Sequence, residues 1–235
     1  MLLRNPRLQK LIGGTFIEWL GIDIAARAEM VALAMHKDWS KLKILRRARR
    51  ERWSMVTNFE SFIVHSLATG FAKTPGDFAE VGIYQGSTAK VICEAKGDKT
   101  FHLCDTFEGL PEPSEHETKS GIEKKGRFAC SIESIQKYLQ DYKGLEYHKG
   151  FCPESVKGVL DNTKFCFVHL DVDLYQSTKE CIEYFFPRLI PGGVILSHDY
   201  SILPGVRQAF SEFCEGRQEQ VIELPTTQCM LIKTT

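Results

Sequence analysis

Two apolar runs end in side chains that are costly to bury. One reads Val168-His169-Leu170-Asp171-Val172-Asp173-Leu174-Tyr175 and the other Ile195-Leu196-Ser197-His198-Asp199-Tyr200. Carboxylates behind a nearly continuous apolar stretch must be paired, protonated or bound to a cation. Asp171, Asp173, His198 and Asp199 are therefore a set able to hold a divalent ion through oxygens and one imidazole, or to abstract a proton. A hydrogen-bonded capping cluster without metal is the alternative. An earlier run ends Glu80-Val81-Gly82-Ile83-Tyr84-Gln85-Gly86-Ser87-Thr88, where glycines let a ligand approach backbone N–H groups at a helix start. Its Glu-x-Gly-x-x-x-Gly spacing lacks the close Gly-x-Gly of the dinucleotide fingerprint. An acid there suits a cationic ligand better than a pyrophosphate. His102-Leu103-Cys104-Asp105 ends the next run, and an acid in that place can accept both hydroxyls of a ribose or else cap a turn.

Such residues meet only if strand ends are brought side by side. Short apolar runs at Phe78–Ile83, Thr100–Cys104, Leu145–His148, Phe165–Leu170, Val194–Ser197, Gln220–Leu224 and Cys229–Ile232 alternate with helical candidates at 87–95, 132–142, 154–161, 177–186 and 205–215. That alternation predicts an α/β fold, a mostly parallel sheet with helices on both faces. The last two runs are joined only by Pro225-Thr226-Thr227, too short for a crossover, so they pair as an antiparallel hairpin. Thr74-Pro75-Gly76 marks a boundary between an N-terminal helical extension, 1–73, and the sheet domain, 74–235. Within the extension, 15–36 reads as an amphipathic helix, Lys41–Trp53 as a basic helix and 54–73 as a third. Residues 107–126 are polar, aperiodic and follow a strand end, which makes them a candidate lid. His65, His102, His148 and His169 stand in apolar contexts and read as packed or hydrogen-bonded side chains.

The 235 residues carry 30 basic and 30 acidic side chains. This neutrality argues against a nucleic-acid coat. It is uneven, because residues 1–60 hold 12 of the basic side chains but 6 of the acidic ones. The eight cysteines are scattered singly without Cys-x-x-Cys and read as buried free thiols of a reducing compartment. With no signal-peptide pattern and no long uncharged apolar stretch, the expectation is a cytoplasmic protein without an integral membrane segment.

The stretches Glu80-Val81-Gly82-Ile83-Tyr84-Gln85-Gly86-Ser87, Asp105-Thr106-Phe107-Glu108-Gly109-Leu110-Pro111, Gly150-Phe151, Leu170-Asp171-Val172-Asp173-Leu174-Tyr175 and Pro191-Gly192-Gly193 resemble the TylF/MycF (macrocin O-methyltransferase) family over about residues 55–215. The resemblance implies the Rossmann-like class I methyltransferase sheet of seven strands. It also implies an S-adenosylmethionine-dependent enzyme that methylates sugar hydroxyls of natural products, commonly as a homo-oligomer whose N-terminal helices cap a neighbour's site. By it, Glu80, Gly82, Gly86 and Ser87 form the cofactor loop, Asp105 meets the ribose, and Ser131 of Phe128-Ala129-Cys130-Ser131 lies near the adenine. Family members bind Mg²⁺ through the aspartate ending the fourth strand and a pair ending the fifth. Asp171 and Asp199 match two of these positions and His198 takes the third, which suits Mn²⁺, Fe²⁺ or Zn²⁺ better than Mg²⁺. With metal, Asp171 or Asp173 takes the acceptor's proton. Without it, His198 is the expected base, as an imidazole of ordinary pKa, about 6.5, is largely neutral at working pH. A cofactor-binding protein without transferase activity is the competing reading, and a nicotinamide oxidoreductase is disfavoured by the missing Gly-x-Gly.

Overall fold

The computed structural model describes residues 5–112 and 124–235. Among them, seven strands form one sheet: β1 (Asp77–Val81), β2 (Phe101–Asp105), β3 (Leu145–Lys149), β4 (Phe165–Leu170), β5 (Leu189–Ser197), β6 (Ile222–Glu223) and β7 (Cys229–Ile232). Their order is β3-β2-β1-β4-β5-β7-β6, with β1 to β5 parallel and β7 antiparallel to both β5 and β6. The expected seven-stranded arrangement and its closing hairpin are both present. All six residues of β4 are buried, as a central strand covered on both faces requires. The strand order reverses between β1 and β4, and in such sheets ligands bind outside the carboxyl ends at that point.

Helices α1 (Pro6–Ile12), α2 (Phe16–Ala34), α3 (Trp39–Glu51) and α4 (Asn58–Phe71) precede the sheet. They are followed by α5 (Ser87–Cys93), α6 (Ile132–Tyr138), α7 (Tyr175–Phe185) and α8 (Pro204–Cys214). On one face Leu42, Leu45, Val64 and Ala68 pack with Phe78, Phe101 and Phe167. On the other, Ile182 and Phe185 of α7 and Val206 and Phe210 of α8 pack with Phe165, Val168 and Ile195. The basic stretch is thus amphipathic in α3, with Leu42, Leu45 and Ala48 buried beneath its charges. No helix among the described residues is long and apolar enough to cross a membrane.

Several elements depart from the sequence reading. The expected helix at 154–161 is a single 3-10 turn, Glu154–Val156, stopped by Gly158 at φ +80°. Strand β5 begins at Leu189 rather than Val194, because Leu189 pairs with Phe165 of β4 ahead of a register shift, and Gly192 and Gly193 continue the strand by backbone hydrogen bonds with Lys233. Helix α2 was expected to be amphipathic. It buries Ala26 and Leu33, yet Phe16, Ile17, Leu20, Ile24 and Val31 are exposed, so apolar residues surround the helix.

Candidate active site

A cavity of about 690 Å³ opens at the carboxyl ends of β1, β2, β4 and β5. Its floor is the strand-end loops. Its roof comes from α1 and α2 (Ile12, Ile17, Ile22, Ala25), from the segment before α4 (Trp53, Met55) and from Phe59 in the first turn of α4. Among the described residues, five that are not glycine have positive φ: Tyr84, Phe107, Phe128, Asp173 and Asp199. Four of them line this cavity and Phe107 stands beside it. Left-handed backbone at such side chains costs about 1–3 kcal/mol each and concentrates where geometry serves function.

The loop after β1 takes its course from glycine. At Gly82, with φ +85°, an added Cβ would lie 1.9 Å from the Asp171 carbonyl oxygen, so only glycine lets β1 and β4 approach here. Gly86, also left-handed, caps α5 outside the cavity lining, whereas Gly82, Ser87 and Asp105 line it. The Asp105 carboxylate holds the loop: Oδ2 accepts from the Ile83 N–H at 2.6 Å and the Tyr84 N–H at 3.3 Å, and Oδ1 from the Phe107 N–H at 2.6 Å. Two more expected cofactor residues, besides Gly86, lie off the lining. Glu80 is fully buried within the sheet, 3.0 Å from Nδ1 of His169 on β4, and burial raises its pKa despite that neighbour. Ser131 is exposed and caps α6, accepting from the Ser134 N–H. The other histidines assigned to packing are also partnered, His102 with His148 and Asp77, and His65 with Thr69. All eight cysteines are free, and Cys104 and Cys152 reach the cavity. Residues 113–123 of the expected lid lie outside the described residues. Its base is closed by hydrogen bonds from Leu110 N–H to Arg127 O and from Gly126 N–H to Leu110 O.

The acidic cluster forms as expected. One ligand atom each from Asp171, His198 and Asp199 lies within 4.8 Å of the others. His198 Nδ1 is 3.0 Å from Asp199 Oδ1 and 3.4 Å from Asp171 Oδ1. The nitrogen is buried and aligned for a hydrogen bond to neither. Two carboxylate oxygens and a buried, unmatched imidazole nitrogen suit a divalent cation, with N/O character favouring Mn²⁺, Fe²⁺ or Zn²⁺ over Mg²⁺. Burial alone would lower the His198 pKa, but Asp199, Asp171 and Glu60 around it hold it well above its ordinary value. Without a cation the ring therefore favours its charged form, which corrects the expectation of a neutral imidazole base. Burial works to raise the Asp171 pKa and the His198 charge overcomes it, leaving it low. Asp173 is pushed well up by burial and by Asp199 and Asp171 beside it.

Glu60 was not anticipated from the sequence as a site residue. It closes a capping box with Thr57 at the start of α4, a pattern visible in Thr57-Asn58-Phe59-Glu60. Nothing in that pattern shows its Oε2 lying 3.2 Å from His198 Nε2. Glu18 and Arg127 were likewise missed. Their 2.8 Å ion pair joins α2 to the segment after the undescribed residues, at 17% exposure for each side chain.

The O-methyltransferase NovP has the same fold, with a TM-score of 0.66 over 93% of this chain and 100% of its own at 17% identity. The chain is 30% identical over 158 residues to the 8-demethyl-8-(2,3-dimethoxy-alpha-L-rhamnosyl)-tetracenomycin-C 4'-O-methyltransferase of Streptomyces olivaceus, covering 62% of this chain but 59% of that relative's length. It is 25% identical over 186 residues to the mycinamicin III 3''-O-methyltransferase of Micromonospora griseorubida, covering 72% of each. Residues 56–230, most of the chain, match the macrocin-O-methyltransferase (TylF) family, and the protein belongs to that family.

Proposed function

We propose that the protein is an S-adenosylmethionine-dependent O-methyltransferase acting on a hydroxyl of a small molecule, a sugar or glycosylated natural product, with Mn²⁺ or Mg²⁺ held by Asp171, His198 and Asp199. The observation that carries this reading is one cavity lined both by the cofactor-loop residues Gly82, Ser87 and Asp105 and by the Asp171–His198–Asp199 cluster. The named activities of the two relatives, on a rhamnosyl tetracenomycin and on a mycinamicin, support the acceptor class. When bound, S-adenosylmethionine supplies a methyl group already activated on sulfur, and a divalent cation lowers the pKa of an oxygen held against it.

The chain's own residues supply position and a base. Asp105 retains lone-pair capacity beyond its three backbone N–H bonds and can accept a ribose hydroxyl. With a cation held by Asp171, His198 and Asp199, Asp171 or Asp173 at the same strand end would take the acceptor proton. Asp173 keeps its own proton in the cation-free cluster and becomes a second acceptor once that charge balance changes. An apolar-roofed cleft that holds the acceptor oxygen, its base and the methyl donor together would exclude water and limit their relative freedom, as transfer requires. Residues 1–73 serve as the acceptor-side wall, 74–235 as the cofactor-binding unit and 107–126 as a lid. Exposed apolar residues along α2 support a homo-oligomer, and eight free thiols support a reducing, cytoplasmic compartment.

Calorimetry should show binding of S-adenosylhomocysteine and none of NAD. Labelled methyl groups should reach a glycoside in a panel assayed with Mn²⁺, Mg²⁺ or EDTA. Asp171→Ala should lower turnover by about 10²–10⁴-fold and leave S-adenosylhomocysteine affinity nearly intact; undiminished turnover removes Asp171 from the role of base.

A further inference from the structure

Glu60 reaches the acidic cluster from α4, outside the strand ends, and is 2% exposed. Its Oε2 accepts from the Thr57 N–H at 2.7 Å, and its Oε1 accepts from the N–H and hydroxyl of Thr227 in the β6–β7 hairpin. A carboxylate gripped from both sides in this way has a fixed plane. Glu60 Oε2 lies 3.2 Å from His198 Nε2, and the Thr227 hydroxyl, which already donates to Glu60 Oε1, lies 3.5 Å from the same nitrogen, so both neighbours of Nε2 can only accept and Nε2 carries the hydrogen. The opposite nitrogen, Nδ1, is then the one turned towards Asp171 and Asp199, buried and without an aligned hydrogen-bond partner. A carboxylate behind a metal-bound imidazole fixes its tautomer and raises its basicity.

We infer that Glu60 is a positioning residue that fixes the tautomer and ring plane of His198, so that Nδ1 is presented to a divalent cation with Asp171 and Asp199 and the site favours Mn²⁺ over Mg²⁺. The inference rests on the metal reading above. Glu60 also closes the α4 capping box and anchors the hairpin, so loss of activity on substitution would not separate positioning from folding. Metal binding to the intact chain does separate them. Glu60→Gln keeps the size of the side chain but lets an amide N–H face Nε2, which favours the opposite tautomer.

Binding is read by the disappearance of the free Mn²⁺ electron paramagnetic resonance signal, without acceptor. Imidazole ligation is read by ¹⁴N modulation in the pulsed spectrum. Glu60→Gln should weaken Mn²⁺ binding by about 10–100-fold and reduce the ¹⁴N modulation, with S-adenosylhomocysteine affinity held within about threefold. His198→Asp should lower the ratio of Mn²⁺ to Mg²⁺ affinity. In that background, with no imidazole to orient, adding Glu60→Gln should change Mn²⁺ affinity by less than about threefold. Unchanged Mn²⁺ affinity in Glu60→Gln overturns the inference, as does an equal loss in both backgrounds, which would mark a purely structural role. A parent chain that binds no Mn²⁺, or binds it without ¹⁴N modulation, overturns the metal reading itself and this inference with it.

Discussion

At His198 three carboxylates, from α4 and the loops after β4 and β5, close on one imidazole, and the chain's stability at different pH should register it. The folded-state pKa of Glu60 is below the usual carboxylate range: burial pushes it up, but the His198 charge and the hydrogen bonds to it outweigh that. A lowered carboxylate stabilises above its unfolded pKa, about 4.3, and that contribution is lost as pH falls through the folded value. His198 is raised, so its contribution is complete below about 6.5 and is lost as pH climbs through its folded value. The pair is worth most between those limits. In EDTA, the difference in melting temperature between the parent and Glu60→Gln should be largest at about pH 4.3–6.5 and shrink on both sides. A difference independent of pH, measured by scanning calorimetry, removes the pair's role in this linkage. Asp171, Asp173, His198 and Asp199 were legible in the sequence because each interrupts or ends an apolar strand, where a polar group needs a reason. Glu60 was not legible, since a capping-box acid already has a local explanation and its partner lies far along the chain. Glu80 was legible as an unusual acid, but the sequence did not show which way it faces. Its register partner across the sheet is His169, and the pair meets inside the sheet.

Strands and their following turns were read from the sequence more reliably than the connections. Runs such as Phe165–Leu170 have one buried solution, whereas 154–161 carries helix-compatible residues that Gly158 interrupts. Helix α2 is the element whose role the sequence hid, because its spacing shows that it is helical without showing what each side meets. One side meets the cavity and Arg127, where Glu18 Oε2 accepts from Arg127 at 2.8 Å and also from the Gly14 N–H at 2.7 Å. A charge-assisted contact between side chains 17% exposed, discounted for that solvent access, is worth about 1 kcal/mol. Glu18→Gln should therefore loosen the α2 wall from the base of 107–126 and raise the acceptor KM about fivefold. S-adenosylhomocysteine affinity should not change, because the residues assigned to the cofactor lie on the strand-end side. Equal weakening of both ligands in steady-state kinetics and calorimetry would place Glu18 in the general stability of the cavity instead of its acceptor side.

For the whole molecule, the zero net charge conceals an N-terminal quarter whose charges are partly structural. Arg49 donates to the carbonyls of Ser54 and Val56, Arg52 to Ser134, and Glu51 of the same helix pairs with Lys90 of α5. Those contacts fasten α3 and the cavity-lining segment after it to the sheet domain. What they leave unexplained is apolar. Phe16, Leu20, Ile24, Val31 and Met35 are 69, 40, 58, 66 and 82% exposed and recur at helical spacing along α2 and its cap. A helix apolar on every side is ordinarily covered on every side, and a second copy of the chain would cover this stripe symmetrically. In a two-fold contact each substitution counts twice, and removing one buried Val- or Ile-sized side chain costs about 1.5–3 kcal/mol per copy. Val31→Glu should therefore weaken self-association by at least about 10²-fold and shift the chain towards monomer in light scattering at micromolar concentration. Since Ile17, Gly21 and Ala25 of the same helix line the cavity, dissociation should also raise the acceptor KM, and raising the protein concentration should reverse that effect. A parent chain that is monomeric across the concentration range, with kinetics independent of concentration, would leave the α2 stripe without a second copy to cover it and would confine the acceptor wall to a single chain.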